Sequence, residues 1–113
     1  MTASSISALE YHVLLSLAAG PQYGYAIKEK VETESGGTLA PPAGSLYRVI
    51  ARLITRGWVV ETEPADVPPH PGVPRRYYEL TREGRVALAE EAHRLREVSD
   101  LARSRLGVSR RRA

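Results

Sequence analysis

Three arginines, Arg48, Arg52 and Arg56, recur at four-residue spacing, and Ser45 stands three residues ahead of the first. On a helix that spacing puts all four on one face. No acidic residue occurs between Gly44 and Gly57, so the row is not neutralised within its own segment. A line of guanidinium groups suits phosphate oxygens, and an arginine at a helix start also suits bidentate contact with guanine. Arg75 and Arg76 form a second basic pair farther along. Each feature has a bland alternative: arginines on a wet helix face are usually only solvated. Trp58, the single tryptophan, is expected to pack between elements rather than stack on a ligand.

The elements that must hold these residues are legible in the apolar pattern. Behind the arginines, Leu46, Val49, Ile50, Leu53 and Ile54 fall at i, i+3, i+4, i+7 and i+8, one buried stripe that Gly57 should end in a left-handed cap. Ahead of it, Ile6, Leu9, Val13, Leu14 and Leu17 make a first helix stopped by Gly20-Pro21. A second helix from about Tyr23 buries Ile27 and Val31 and breaks at Gly36-Gly37, with Leu39 the one large apolar residue able to pin the following turn. After the third helix, Trp58 to Thr62 and Arg75 to Leu80 are strand-like runs expected to pair as a hairpin. Tyr77 and Tyr78 alternate across the second run, so one of them belongs in the core. Five prolines and Gly72 between Glu63 and Pro74 suit an extended, projecting loop.

Thr81 should cap a last helix reaching from about Arg82 to Leu106, roughly 37 Å at 1.5 Å per residue, more than a three-helix core can cover. Leu88, Ala92, Leu95, Ser99, Ala102 and Leu106 alternate spacings of four and three, with Val98 and Leu101 widening the stripe. A homodimer seam is the expected use, formed by Leu88, Ala92, Leu95, Val98, Ala102 and Leu106 together with Leu9 and Val13 of the first helix. The alternative is that the stripe packs only on the chain's own first helix.

The fold class expected is therefore mostly α with a small β-hairpin. Residues 1–80 form a winged helix-turn-helix with a three-helix core, 81–106 a C-terminal dimerisation helix, and 107–113 a basic tail. A chain of 113 residues fits one such domain. The net charge is +3, but its distribution is uneven: residues 43–85 carry seven arginines against five acids and 103–113 five arginines against none, while 1–35 is acidic.

Cysteine is absent, which removes disulfides, thiolate metal sites and thiol nucleophiles. His12, His70 and His93 are scattered over separate elements without metal-ligand spacing, phosphate loop or nucleophile motif. An enzyme, a metal and a cofactor are not expected. No apolar run approaches the ~18 residues of a membrane span and the first residues lack a secretory core, so the cytoplasm is the expected compartment.

The segments YGYAI at Tyr23 to Ile27, GSLYRVIARL at Gly44 to Leu53, RGWV at Arg56 to Val59 and RRYYELTREG at Arg75 to Gly84 together resemble the PadR family of transcriptional regulators. Where that family often has Pro before the glycine of the recognition helix, this chain has Ala43. The resemblance implies a repressor that binds a palindromic operator in double-stranded DNA as a homodimer. Tyr25, Ser45, Tyr47 and Arg48 would face DNA, with Arg52 on the same row and Arg75 and Arg76 on the wing. It also implies the short subgroup with a single dimerisation helix. Some members of that subgroup bind flat aromatic effectors between subunits, and this chain carries no aromatic residue between Arg82 and Ala113 to stack on one. The rival reading is a winged-helix module serving protein interaction without DNA binding. Such modules tend to lose basic residues from the recognition helix, which are kept here.

Overall fold

A computed structural model describes residues 5–63 and 76–108. The elements run α1 (Ala8–Ser16), β1 (Gln22–Tyr23), α2 (Gly24–Glu34), α3 (Ala43–Thr55), β2 (Val59–Thr62), β3 (Tyr77–Leu80) and α4 (Arg82–Leu106). This is the expected winged-helix order, mostly α with a small antiparallel sheet. The projecting loop, Arg75, His70 and the end of the basic tail lie outside the described residues.

Local chemistry sets the helix limits. Ser7 opens α1 with a reciprocal capping box: the Glu10 N–H donates to Ser7 Oγ at 3.1 Å and the Ser7 N–H donates to Glu10 Oε1 at 2.9 Å. Thr81 caps α4 by accepting from the Gly84 N–H at 3.0 Å. Gly57, with φ +83°, and Gly107, with φ +71°, take the left-handed turns that follow α3 and end α4.

Leu46, Val49, Ile50 and Leu53 of α3 meet Val13, Leu14 and Leu17 of the α1 region and Ile27 and Val31 of α2 in one buried cluster, closed by Val59, Tyr78 and Leu80 from the sheet. Ile54, at the edge of the α3 stripe, stays 38% exposed. Leu39 packs against the cluster, as does half-buried Trp58. Tyr78 is the inward member of the tyrosine pair.

The sheet has one strand more than the hairpin expected from sequence. β3 pairs with β2, Val59 opposite Leu80 and Thr62 opposite Tyr77, and its other edge takes β1, with Tyr23 opposite Tyr77. The Tyr23 and Tyr77 rings lie 5.7 Å apart across that pair. β1 thereby fixes the start of α2 to the root of the wing.

α4 divides the apolar stripe in two. Leu88 packs on the chain's own core, while Ala92, Leu95, Val98, Leu101, Ala102 and Leu106 are exposed, Leu106 to 77%. Leu9 is also partly buried on the core, and Val13 lies wholly inside it. Val13 therefore has no surface to offer a second copy, because α1 turns that side inward on its own helices.

Candidate nucleic-acid interface

The four principal helices differ at their starts. α1 and α4 are capped by side chains and carry an acid in the first turn, Glu10 and Glu83. α2 begins after Tyr23 and α3 after Pro42 with no side-chain cap and no acid in the first turn. Their first-turn N–H groups stand at positive dipole ends and donate no hydrogen bond to the side chain of the capping residue.

Around these two starts stand the residues singled out from the sequence. Tyr25, in the first turn of α2, is 58% exposed. Tyr47, one turn into α3, is 45% exposed, and its ring lies over the start of α2 so closely that a Cβ on Gly24 would collide with its hydroxyl and ring edge. Arg48 is exposed beside half-buried Ser45, and its Nη2 donates to Ser45 Oγ at 3.3 Å. Ser45, Tyr47 and Arg48 thus share the first two turns of α3, and Tyr47 joins them to α2.

Arg76 is exposed at the foot of β3. It reaches toward the inward tyrosine: burial pushes the Tyr78 hydroxyl above its ordinary pKa, and Glu61 and Tyr47 push the same way, while Arg76 opposes them by charge and a hydrogen bond. Tyr47 of α3 and Arg76 beside β3 thus both bear on the Tyr78 hydroxyl, in opposite directions.

The far end of the arginine row is arranged differently. Glu10 of α1, 6% exposed, accepts from Arg52 Nε at 3.2 Å and lies 4.0 Å from Arg56 Nη1. Burial would raise the Glu10 carboxyl, but the Ser7 N–H, the Arg52 hydrogen bond and the charges of Arg56 and Arg52 outweigh it and hold it below the ordinary carboxylate value. Arg56 also lies with its guanidinium carbon 4.4 Å from the Trp58 ring centroid, a cation–π contact. The row is indeed not neutralised within its own helix; the carboxylate comes from α1. Glu10 was not among the residues singled out, although Ser7-x-x-Glu10 is a capping-box signature visible in sequence. Gly24 was missed as well, its only signal being its place between two tyrosines.

Among the described residues no three His, Cys, Asp or Glu side chains are grouped to hold a metal, and no helix is long and apolar enough to cross a membrane.

Residues 13–90 match the Transcriptional regulator PadR-like family. The chain belongs to that family. This PadR-like chain shares its fold with a PadR family transcription regulator from hypervirulent Clostridium difficile, at TM-score 0.72 and 19% identity over 88% of this chain and 99% of that one. A PadR family transcriptional regulator from Eggerthella lenta is 26% identical with TM-score 0.66, covering 86% of this chain and 82% of its own. Bacillus subtilis PadR, solved in complex with operator DNA, matches at TM-score 0.63 and 21% identity over 76% of this chain and 47% of that one. In sequence, the PadR-like chain is 39% identical over 87 residues to an uncharacterized 37.1 kDa protein in transposon TN4556 of Streptomyces fradiae. That match takes in 77% of this chain and only 23% of the transposon protein.

Proposed function

We propose that this PadR-like chain regulates transcription by binding duplex DNA in a sequence-specific way, as a repressor on a palindromic operator. The observation that carries the reading is the first half of α3: an uncapped start, no acid, and Ser45, Tyr47 and Arg48 together at the surface. In a helix-turn-helix, the N-terminal residues of the second helix reach base edges while surrounding groups grip phosphates. Arg48 is the base reader in this reading. Tyr25, Ser45, Tyr47 and the start of α2 grip phosphate, and Arg75 and Arg76 of the wing follow the backbone or minor groove. Arg52 lies one turn farther along, and its share depends on its ion pair with Glu10. The Bacillus subtilis PadR complex with operator DNA supports the reading by likeness of fold.

The protein acts as a homodimer in this proposal, with residues 1–80 as the DNA-binding unit and α4 as the dimerisation helix. Leu95, Val98, Leu101 and Leu106 are exposed on one helix that runs past its own core, and a second copy of the same stripe would cover them. Such a seam has no aromatic platform, so a small-molecule effector that releases DNA would have to be held there by aliphatic and polar contacts.

Footprinting of the purified protein on fragmented DNA from its source organism tests the proposal. Protection of discrete sites with two-fold symmetry is expected. Retention of a partner protein with no DNA protected at low salt would favour a protein-interaction module instead.

A further inference from the structure

Glu10 is a nearly buried carboxylate shared by two arginines of the recognition helix, and the DNA-binding reading as it stands gives it no part. Its position is fixed twice. The capping box with Ser7 ties its backbone and one oxygen to the start of α1, and its other oxygen accepts from Arg52 Nε. Arg56 completes the arrangement, 4.0 Å from Glu10 Oε1 and stacked on Trp58. Arg48, two turns before Arg56, donates to Ser45 Oγ, and among the described residues it forms no ion pair with a carboxylate.

Within one basic row, the arginines are therefore treated unequally. An arginine committed to a carboxylate within hydrogen-bond distance is not free to contact a phosphate, and the ions released on binding follow the number of phosphates contacted, while Arg56 stays beside Glu10 when Arg52 is removed. The carboxylate also holds the Arg52 side chain in one place, 56% exposed yet tethered. We infer that Glu10 is a specificity-setting residue: it restrains Arg52 so that duplex DNA of any sequence gains little from it, and leaves Arg48 as the cation of the row that meets DNA. This rests on the DNA-binding reading above and concerns how that surface discriminates. A group that served only to cap α1 would have no reason to be paired 42 residues away with the face proposed to meet DNA.

The test is the salt dependence of binding to a random-sequence duplex, which needs no knowledge of the operator. Four proteins are compared: wild type, Glu10→Gln, Arg52→Gln and the double variant. Glutamine keeps the side-chain size and can still accept from the Ser7 N–H as a capping-box partner. Glu10→Gln is expected to steepen the slope of log affinity against log salt by about 0.9 per bound subunit and to tighten binding roughly eightfold per subunit near 0.1 M salt. Arg52→Gln should leave the slope almost unchanged when Glu10 is present and lower it by about 0.9 per subunit when Glu10 is Gln. Should Glu10→Gln unfold, the small effect of Arg52→Gln alone still carries the test, since an unrestrained arginine would lose the full increment. An unchanged slope in Glu10→Gln, or an equal loss from Arg52→Gln in both backgrounds, overturns the inference and leaves DNA binding intact. Absence of any salt-dependent binding by the wild type overturns the DNA-binding reading and this inference with it.

Discussion

The backbone carbonyl of Trp58 occupies the space that a side chain on Gly84 would need. The same carbonyl accepts from the Thr81 N–H at 3.0 Å, and the Thr81 hydroxyl donates to the Gly57 carbonyl at 2.6 Å. The turn that ends α3 is thus locked to the start of α4, and Arg85 adds a bond from α4 to the Ala18 carbonyl just after α1. The Thr81 bonds tie the start of α4 to the end of α3. Gly84→Ala should therefore destabilise the fold by about 1 to 3 kcal/mol, the usual cost of forcing a methyl into packed backbone. The reading is a lower urea midpoint at unchanged slope. A wild-type midpoint would mean that α4 sits more loosely on Trp58 than described.

Glu10 has a lowered pKa in the fold, so the sign of its contribution is that of a paired carboxylate. Stability from it is present above the unfolded value, near 4.5, and is lost as pH falls through the lower folded value. Glu91 of α4, itself nearly buried and held below its ordinary value by Arg94 through hydrogen bonds of 2.9 and 2.6 Å, acts in the same direction. Wild type should exceed Glu10→Gln in stability at about pH 7, and the gap should close as the solution is acidified past the carboxylate range. Denaturation midpoints across that range decide it. A gap that widens with acid would contradict the ion pair.

Much of this architecture was legible in the sequence because its signals are local. The α3 stripe, the Thr81 cap, the Gly57 turn and the inward place of one tyrosine of the Tyr77–Tyr78 pair each follow from spacing within a few residues, though which tyrosine it is does not. β1 was not legible: Gln22 and Tyr23 form a strand only by pairing with β3, more than fifty residues away, and two residues carry no period of their own. The Glu10 to Arg52 pair is hidden for the same reason, since charge complementarity across 42 residues leaves no pattern in either segment. The α4 stripe was legible as a stripe, but its division at Leu88 depends on where the chain's own core ends.

Gly24 allows the Tyr47 ring to lie over the start of α2, and the atoms in its way are the far end of one side chain rather than backbone. Gly24→Ala should leave the melting temperature close to wild type and push Tyr47 aside. Duplex DNA affinity should then fall by about 1 kcal/mol per subunit, the worth of a typical hydrogen bond. Unchanged affinity would remove Tyr47 from the contact surface.

Leu95 lies at the centre of the exposed α4 stripe, 37% accessible in the single chain. Leu95→Asp would bring a carboxylate into the proposed seam at a cost on the order of several kcal/mol per interface. Sedimentation at micromolar concentration should show a dimer for wild type and monomers for the variant. A dimer of undiminished affinity would mean that the subunits meet elsewhere.

Selection of bound sequences from a random duplex pool, run in parallel with wild type and Arg48→Ala, tests the central claim most directly. Wild type should enrich an inverted repeat whose half-sites are centred about one helical turn, roughly 10 base pairs, or a multiple of it apart. Arg48→Ala should lose the preference at one position in each half-site, a loss of about 1 to 3 kcal/mol there, while still binding duplex DNA in a salt-dependent way. Failure of the wild type to enrich any sequence, or an Arg48→Ala pool identical to that of the wild type, would contradict the assignment of α3 as the helix that reads DNA.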